Sequence, residues 1–245
     1  MQVNNLKHVN IKEWKEKIFE PASENRYYMM SFYDPKKFSH EDGGFFDFFA
    51  FDFTFVYNRV PNPEDMSTDI IDDHTAIWNA YYKSSWIEEG KTKHGFSVVI
   101  PPNSIASIAG FVLTPNEMKS PKKVEAYMNF QKTVIYRAVC RHMDPSRVSF
   151  IKNDILIDHK KFCGIDAYCE NDRTFQQFML TTDFKGNLGE MSRFLTPEQM
   201  ERFNSVEDHG ITGVIDEVPG LTVDQILTDL EEEALKLKAE IATME

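Results

Sequence analysis

The sequence predicts a mixed α/β domain, and three segments carry that prediction. Ile151-Lys152-Asn153-Asp154-Ile155-Leu156-Ile157-Asp158-His159-Lys160-Lys161-Phe162-Cys163-Gly164-Ile165 is an apolar run, a polar corner and a second apolar run, the pattern of a β-hairpin. Ser120-Pro121 followed by Val124, Tyr127, Met128, Val134, Ile135, Ala138 and Val139 is a capped helix with proline at its first position. Thr222-Val223-Asp224-Gln225 opens another, with Leu227, Leu230, Ala234, Leu237 and Ile241 on one stripe.

Along the chain, Ile11, Trp14 and Ile18 stand at helical spacing, and residues 27–33, Tyr-Tyr-Met-Met-Ser-Phe-Tyr, suit a strand. Between Phe45 and Tyr57 seven of thirteen residues are phenylalanine, a density that fits two packed sheet segments of the core better than a ligand box. Pro61-Asn62-Pro63 marks a turn, because proline fixes φ. Ile70 to Tyr82 suits a helix, and His94 to Ile100 a strand closed by Pro101-Pro102. The helix from Ser120 is expected to run to about His142. Strands follow at 148–157, 162–169 and 174–183. Thr196-Pro197-Glu198-Gln199 repeats the capping-box pattern, and Leu221 before the Thr222 cap can pack on Ile226 as a staple. One domain is expected over residues 1–231, with a helical extension over 232–245.

With 245 residues the chain is long enough to bury a sizeable core. Lys and Arg total 27 and Asp and Glu 39, so the net charge is 27 − 39 = −12, a field that opposes nucleic acid and anionic lipid. No apolar run approaches the roughly 18 residues that span a bilayer. Three cysteines, Cys140, Cys163 and Cys169, lie in no metal-ligand spacing and suggest a reducing, cytoplasmic setting.

The ordered set of elements resembles the catalytic domain of the lipoate ligase, biotin ligase and octanoyltransferase superfamily. Asn153-Asp154, the strand, the turn, and Lys161-x-x-Gly164 are similar to its nucleotide-binding hairpin. Ile211 to Ile226 resembles its closing element, a valine-rich strand and loop leading into a capped helix, and Phe96 to Pro101 resembles the strand after its glycine loop. The resemblance implies a central, mostly antiparallel sheet flanked by helices. It implies that Lys161 lies against an acyl-adenylate as the catalytic residue. It also implies that Asn153, Asp154, Lys160, Gly164, Gly90 and Gly95 line the nucleotide, and that Asp154 takes its magnesium. ATP, magnesium and lipoate, octanoate or biotin would be the ligands, and an acyl-carrier or lipoyl-type domain the partner.

The chain departs from the family at two places. An arginine pair and triple glycine are replaced by residues 82–95, which keep only Gly90 and Gly95 and add Trp86 and Ile87. A His-Gly-Thr-like element is replaced by Phe175-Gln176-Gln177. Two main readings follow. One is an acyl-protein ligase, with a basic rim of Lys91, Lys93, Lys122, Lys123, Lys160 and Lys161 offsetting the acidic field towards its carrier. The other is a ligase-fold protein without catalysis that acts as a structural or binding subunit. A cysteine-dependent octanoyltransferase is a third. On residues alone, Lys160-Lys161 is also an ordinary polar hairpin corner, and His94 and His142 suit surface or capping roles.

Overall fold

The computed structural model describes residues 7–14, 44–60, 64, 67–81, 97–170, 172–195, 197, 200–201 and 210–244. The strand expected at 27–33, the proline turn at 61–63, the cap at Thr196 and the whole stretch 82–96 lie outside the described residues.

Strands run in chain order as β1 (His8–Val9), β2 (Phe45–Phe51), β3 (Thr54–Val60), β4 (Ser67–Asp72), β5 (Thr75–Tyr81), β6 (Ser97–Ile100), β7 (Ile105–Val112), β8 (Val148–Ile151), β9 (Asp154–Ile157), β10 (Lys160–Glu170) and β11 (Arg173–Leu180). Helices are α1 (Ile11–Glu13), α2 (Pro121–Met128), α3 (Phe130–Val139), α4 (Phe184–Met191), α5 (Val214–Glu217) and α6 (Val223–Thr243). The main sheet has the order β1-β2-β7-β11-β10-β9-β8 and is antiparallel except for the β1–β2 pair. A second sheet, β4-β5-β3-β6, has one parallel pair, β3 with β5. The expected central, mostly antiparallel sheet is thus present, with a smaller sheet beside it.

All eight residues of β7 are buried. Its sequence, Ile-Ala-Ser-Ile-Ala-Gly-Phe-Val, is neither strictly alternating nor helical, as suits a strand covered on both faces. On one face, alternate residues of the main sheet (Ala50, Ile105, Phe111, Ile155, Phe178, Leu180) pack against α2, α3 and α6. On the other, Phe49, Phe51 and Ala106 meet Trp14 and the inner face of the small sheet. The outer face of the small sheet, through Val56 and Val99, packs on Phe184 and Met191 of α4.

Of the helix expected over Ile70 to Tyr82, the described residues 70–81 are strand and turn instead. Asp72 accepts a hydrogen bond from the His74 amide at 2.8 Å and turns the chain, so Thr75–Tyr81 returns as β5 and pairs with β3. Its β-branched and aromatic residues favour a pleated surface, and a local side-chain turn overrides an ambiguous apolar spacing. The helix begun at Ser120 is also divided, at Asn129. Gln176 from β11 enters its ladder: Oε1 accepts from the Gln131 amide at 2.9 Å and Nε2 donates to the Tyr127 carbonyl. Those two backbone groups would otherwise bond to each other, which is why the helix breaks there.

The Thr222 cap accepts from the Gln225 amide at 3.2 Å, and Leu221 and Ile226 are buried together. α6 then runs unbroken to Thr243, with Leu227, Leu230, Ala234, Leu237 and Ile241 in the core. Each buried leucine contributes about 2 kcal/mol. Arg137 grips Glu240 at 2.8 and 2.9 Å, and His142 Nε2 lies 2.6 Å from Asp229, so ion pairs fasten α6 to α3 and its C-terminal turn. No described helix is long and apolar enough to cross a membrane.

His8 bridges Asp52 and Asp224, with each ring nitrogen 3.0 Å from a carboxylate oxygen. Partial burial lowers the imidazole pKa, but the hydrogen bonds and charges of Asp224 and Asp52 outweigh it and raise the net value above 6.5. A raised folded-state pKa gives stability that is complete below the unfolded value and is lost as pH rises through the folded one. Unfolding in urea at a series of pH values should therefore show this loss above pH 6.5, and His8→Ala should flatten it.

Candidate functional site

β9 and β10 are joined by Asp158 and His159, both at positive φ (46° and 68°), as a two-residue hairpin turn demands. This corner is tied down, since Arg147 Nε donates to Asp158 at 2.8 Å and Arg147 also reaches Glu217 of α5 at 3.1 Å. Glu217 in turn accepts from the Thr212 hydroxyl at 2.8 Å. Residues 210–212 lie parallel to β10, with Lys161 N donating to the Gly210 carbonyl (2.8 Å) and Thr212 N to the Lys161 carbonyl (3.0 Å). The hairpin and the segment before α5 thus form one rigid unit around Lys161.

A register shift between Lys161 and Cys163 decides where the lysine goes. In a regular strand, residues three apart point to opposite faces. Here the bulge sends both Phe162 and Cys163 into the helix-side core and leaves Lys161 and Gly164 together on the other face. Lys161 Nζ lies 2.7 Å from Asp154 Oδ1, and both side chains are about two-fifths exposed. A Cβ on Gly164 would sit 3.3 Å from that Nζ and 3.6 Å from Asp154 Oδ1, so glycine is what lets the ion pair lie flat on the strand.

The other expected residues divide. Asn153 is exposed in the β8–β9 turn and meets β10 through its carbonyl, which accepts from the Ile165 amide at 2.8 Å. Lys160 is exposed on the opposite face of the strand from Lys161. Gly90 and Gly95, with Trp86, Ile87, Lys91, Lys93 and His94, fall outside the described residues. Among the described residues no three His, Cys, Asp or Glu side chains cluster as a metal site. Magnesium usually takes only one or two protein carboxylates, with substrate phosphates and water as its other ligands. Asp154 fits that sparser role.

Two further polar residues share this face: Asp166, which no sequence pattern marks, and Gln177, which the sequence marks only as a departure from the family's His-Gly-Thr-like element. Asp166 lies directly opposite Gln177 in the β10–β11 ladder, two pairs along from Gly164 opposite Met179 and therefore on the same face. Gln177 Nε2 is 3.5 Å from Asp166 Oδ2. Farther along the same row, across Ile108, is Asp47 of β2, whose carboxyl is pushed up to about 7 chiefly by burial. Strand pairing is what puts these residues on the face of the sheet that carries the lysine.

The closing segment departs from the valine-rich strand expected of it. Past the bridge at Ile211 the chain turns into α5, because Asp216 accepts hydrogen bonds from the amides of Gly213 (2.9 Å), Phe184 (2.9 Å) and Lys185 (3.2 Å). It thereby caps α4 and α5 together. Gly213 is required there, since a Cβ would stand 2.3 Å from the Thr182 carbonyl oxygen.

A model of the lipoyl protein ligase A/B catalytic domain matches residues 107–234, just over half of the chain. The chain belongs to that family. No curated protein matches it. Among solved structures, a bipartite lipoate protein ligase studied with its E2 lipoyl domain, from Thermoplasma acidophilum, has a TM-score of 0.52 at 11% identity, covering 83% of this chain and 74% of that one. Protein Ta0514 of T. acidophilum with bound lipoic acid has a TM-score of 0.50 at 11% identity, over 83% and 76%. At this identity the likeness is one of fold. The family match spans β8 to β11 and the start of α6, and so includes the bulged hairpin and the closing segment of this lipoyl ligase domain.

Two substitutions probe the unit. Gly164→Ala should fold normally, with a melting temperature within about 3 °C of the parent, since the flexible lysine end gives way; it should displace the Lys161 ammonium from Asp154, as a crystal structure of the variant will show. Asp216→Ala should lower stability by about 2 kcal/mol, because three amide donors lose a charged acceptor, as urea unfolding will measure.

Proposed function

We propose that the chain activates a carboxylic acid of the lipoate, octanoate or biotin type with ATP and passes the acyl group to a lysine on a lipoyl-type carrier domain. The bulge that brings Lys161 onto Gly164 against Asp154 carries this reading, since it spends an irregular strand on exposing one cation. In the first step an acid oxygen attacks the α-phosphorus and pyrophosphate leaves. In the second the carrier amine attacks the acyl carbon and AMP leaves. Negative charge moves between carboxylate and phosphate, and a cation fixed between them stabilises both ends of that transfer. Magnesium, when bound, would neutralise phosphate charge beside Asp154.

Cysteine chemistry finds no support at two of its three candidates. Cys163 is 1% exposed and burial pushes its thiol well above its usual range, while burial also raises Cys140. A nucleophilic thiol needs the opposite shift. The side chain of Cys169 is outside the described residues. The binding-subunit reading rests on the sequence of residues 82–95, which lacks the family's arginine pair and triple glycine.

Calorimetry with non-hydrolysable lipoyl- and biotinyl-adenylate analogues separates the two. The ligase reading expects binding of one analogue, weakened about 10- to 100-fold by Lys161→Ala, as loss of a charge-assisted contact implies. Absence of binding, or binding indifferent to Lys161→Ala, would overturn it and favour the subunit.

A further inference from the structure

Gln177 is 7% exposed and belongs to the face that carries Lys161, Asp154 and Gly164. It stands diagonally across the ladder from Gly164, a separation of about 7–8 Å. Its amide orientation is set by its neighbour. Asp166 as a carboxylate can only accept, so the amide must turn its nitrogen there, as the 3.5 Å contact shows. The oxygen, Oε1, is then directed away from Asp166, and it is buried with no hydrogen-bond donor among the described residues.

Buried acceptors in folded proteins are paired in the large majority of cases, so an orphan calls for an explanation. Among the described residues, Gln131 Oε1 and Thr174 Oγ1 also lack a partner but lie on the helix side of the main sheet, while Thr75 Oγ1 belongs to the small sheet and Ser104 Oγ to the turn before β7. Gln177 is the one of these within the β10–β11 ladder on the face of Lys161. Asp47 is in the same row two strands away, about 10 Å between backbones, and no hydrogen bond joins it to Gln177. The flanking residues, Ile108 and Met179, are apolar. An oriented acceptor with apolar neighbours on one side and a carboxylate on the other can select for a ligand that brings a donor.

We propose that Gln177 is a specificity-determining residue, whose Oε1 accepts a hydrogen bond from an N–H or O–H donor on the ligand held at Lys161. This rests on the ligase reading above and narrows its substrate. An alkanoate or dithiolane chain offers no donor; a cyclic urea such as biotin's offers N–H groups, and the nucleotide offers ribose hydroxyls and an amine.

The test is calorimetric titration of AMP and of octanoyl-, lipoyl- and biotinyl-sulfamoyl adenosine into the wild-type protein and Gln177→Leu. A donor on the acyl head predicts that Gln177→Leu weakens the biotinyl compound alone, by about tenfold, and erases its preference over the octanoyl one. A donor on the nucleotide predicts the same loss for all four probes. Loss of less than twofold for every probe overturns the role of Gln177 while leaving the ligase reading intact. Failure of the folded wild type to bind any probe overturns both. Leucine removes a buried orphan, so the variant should melt no lower than the parent; if it does, Gln177→Met serves in its place.

Discussion

An odd spacing along a strand cannot place two side chains on one face, and the site of this domain depends on breaking that rule once. Lys161 and Gly164 are three apart, and a regular β10 would send the lysine into the core or the glycine's open side away from it. The single extra residue at the bulge restores a common face. It also drives Phe162 and Cys163 inward together, so the irregularity is stabilised by apolar burial. Everything beyond the bulge follows its parity: Gly164 over Asp154 and Met179, then Asp166 over Gln177.

The surroundings hold that irregular strand still. Arg147, Asp158, Glu217 and Thr212 link the hairpin corner to the segment that pairs with the Lys161 backbone. Asp216 then ties this segment to the start of α4. Side chains with satisfied hydrogen bonds on ordered backbone provide the preorganisation that electrostatic stabilisation of a reacting group needs. The neighbouring glutamines take opposite roles by strand alternation. Gln176 is spent inside the core, splicing the broken helix, while Gln177 stands on the opposite face, the one that carries the lysine.

Much of this was legible in the residues. The hairpin at 151–165, the Ser120 and Thr222 caps and the phenylalanine-rich strands are local features, and local features are what propensity and capping chemistry report. The ion pair of Lys161 with Asp154 was within reach of the same reading, because a hairpin corner brings the two strands into register. β7 was not marked at all, although it is the strand on which the main sheet is built. A segment buried on both faces has no alternation to read, and its small residues are uninformative about helix or strand. The 70–82 segment failed for a related reason, since a turn made by one aspartate side chain outweighs an apolar spacing that suits either structure.

The sequence by itself determined the family, the mixed architecture and the capped starts of the two principal helices, and it singled out the lysine, aspartate and glycine of the hairpin. These rest on contacts between residues close along the chain, where spacing and geometry are nearly the same information. Only the tertiary structure decided the second sheet, the break at Asn129 and the company Lys161 keeps. Asp166 and Gln177 are eleven residues apart in sequence and Gln177 is sixteen from Lys161, and their sharing one face depends on ladder register and on one bulge. Register is fixed when whole faces are buried together, so no residue signals it alone.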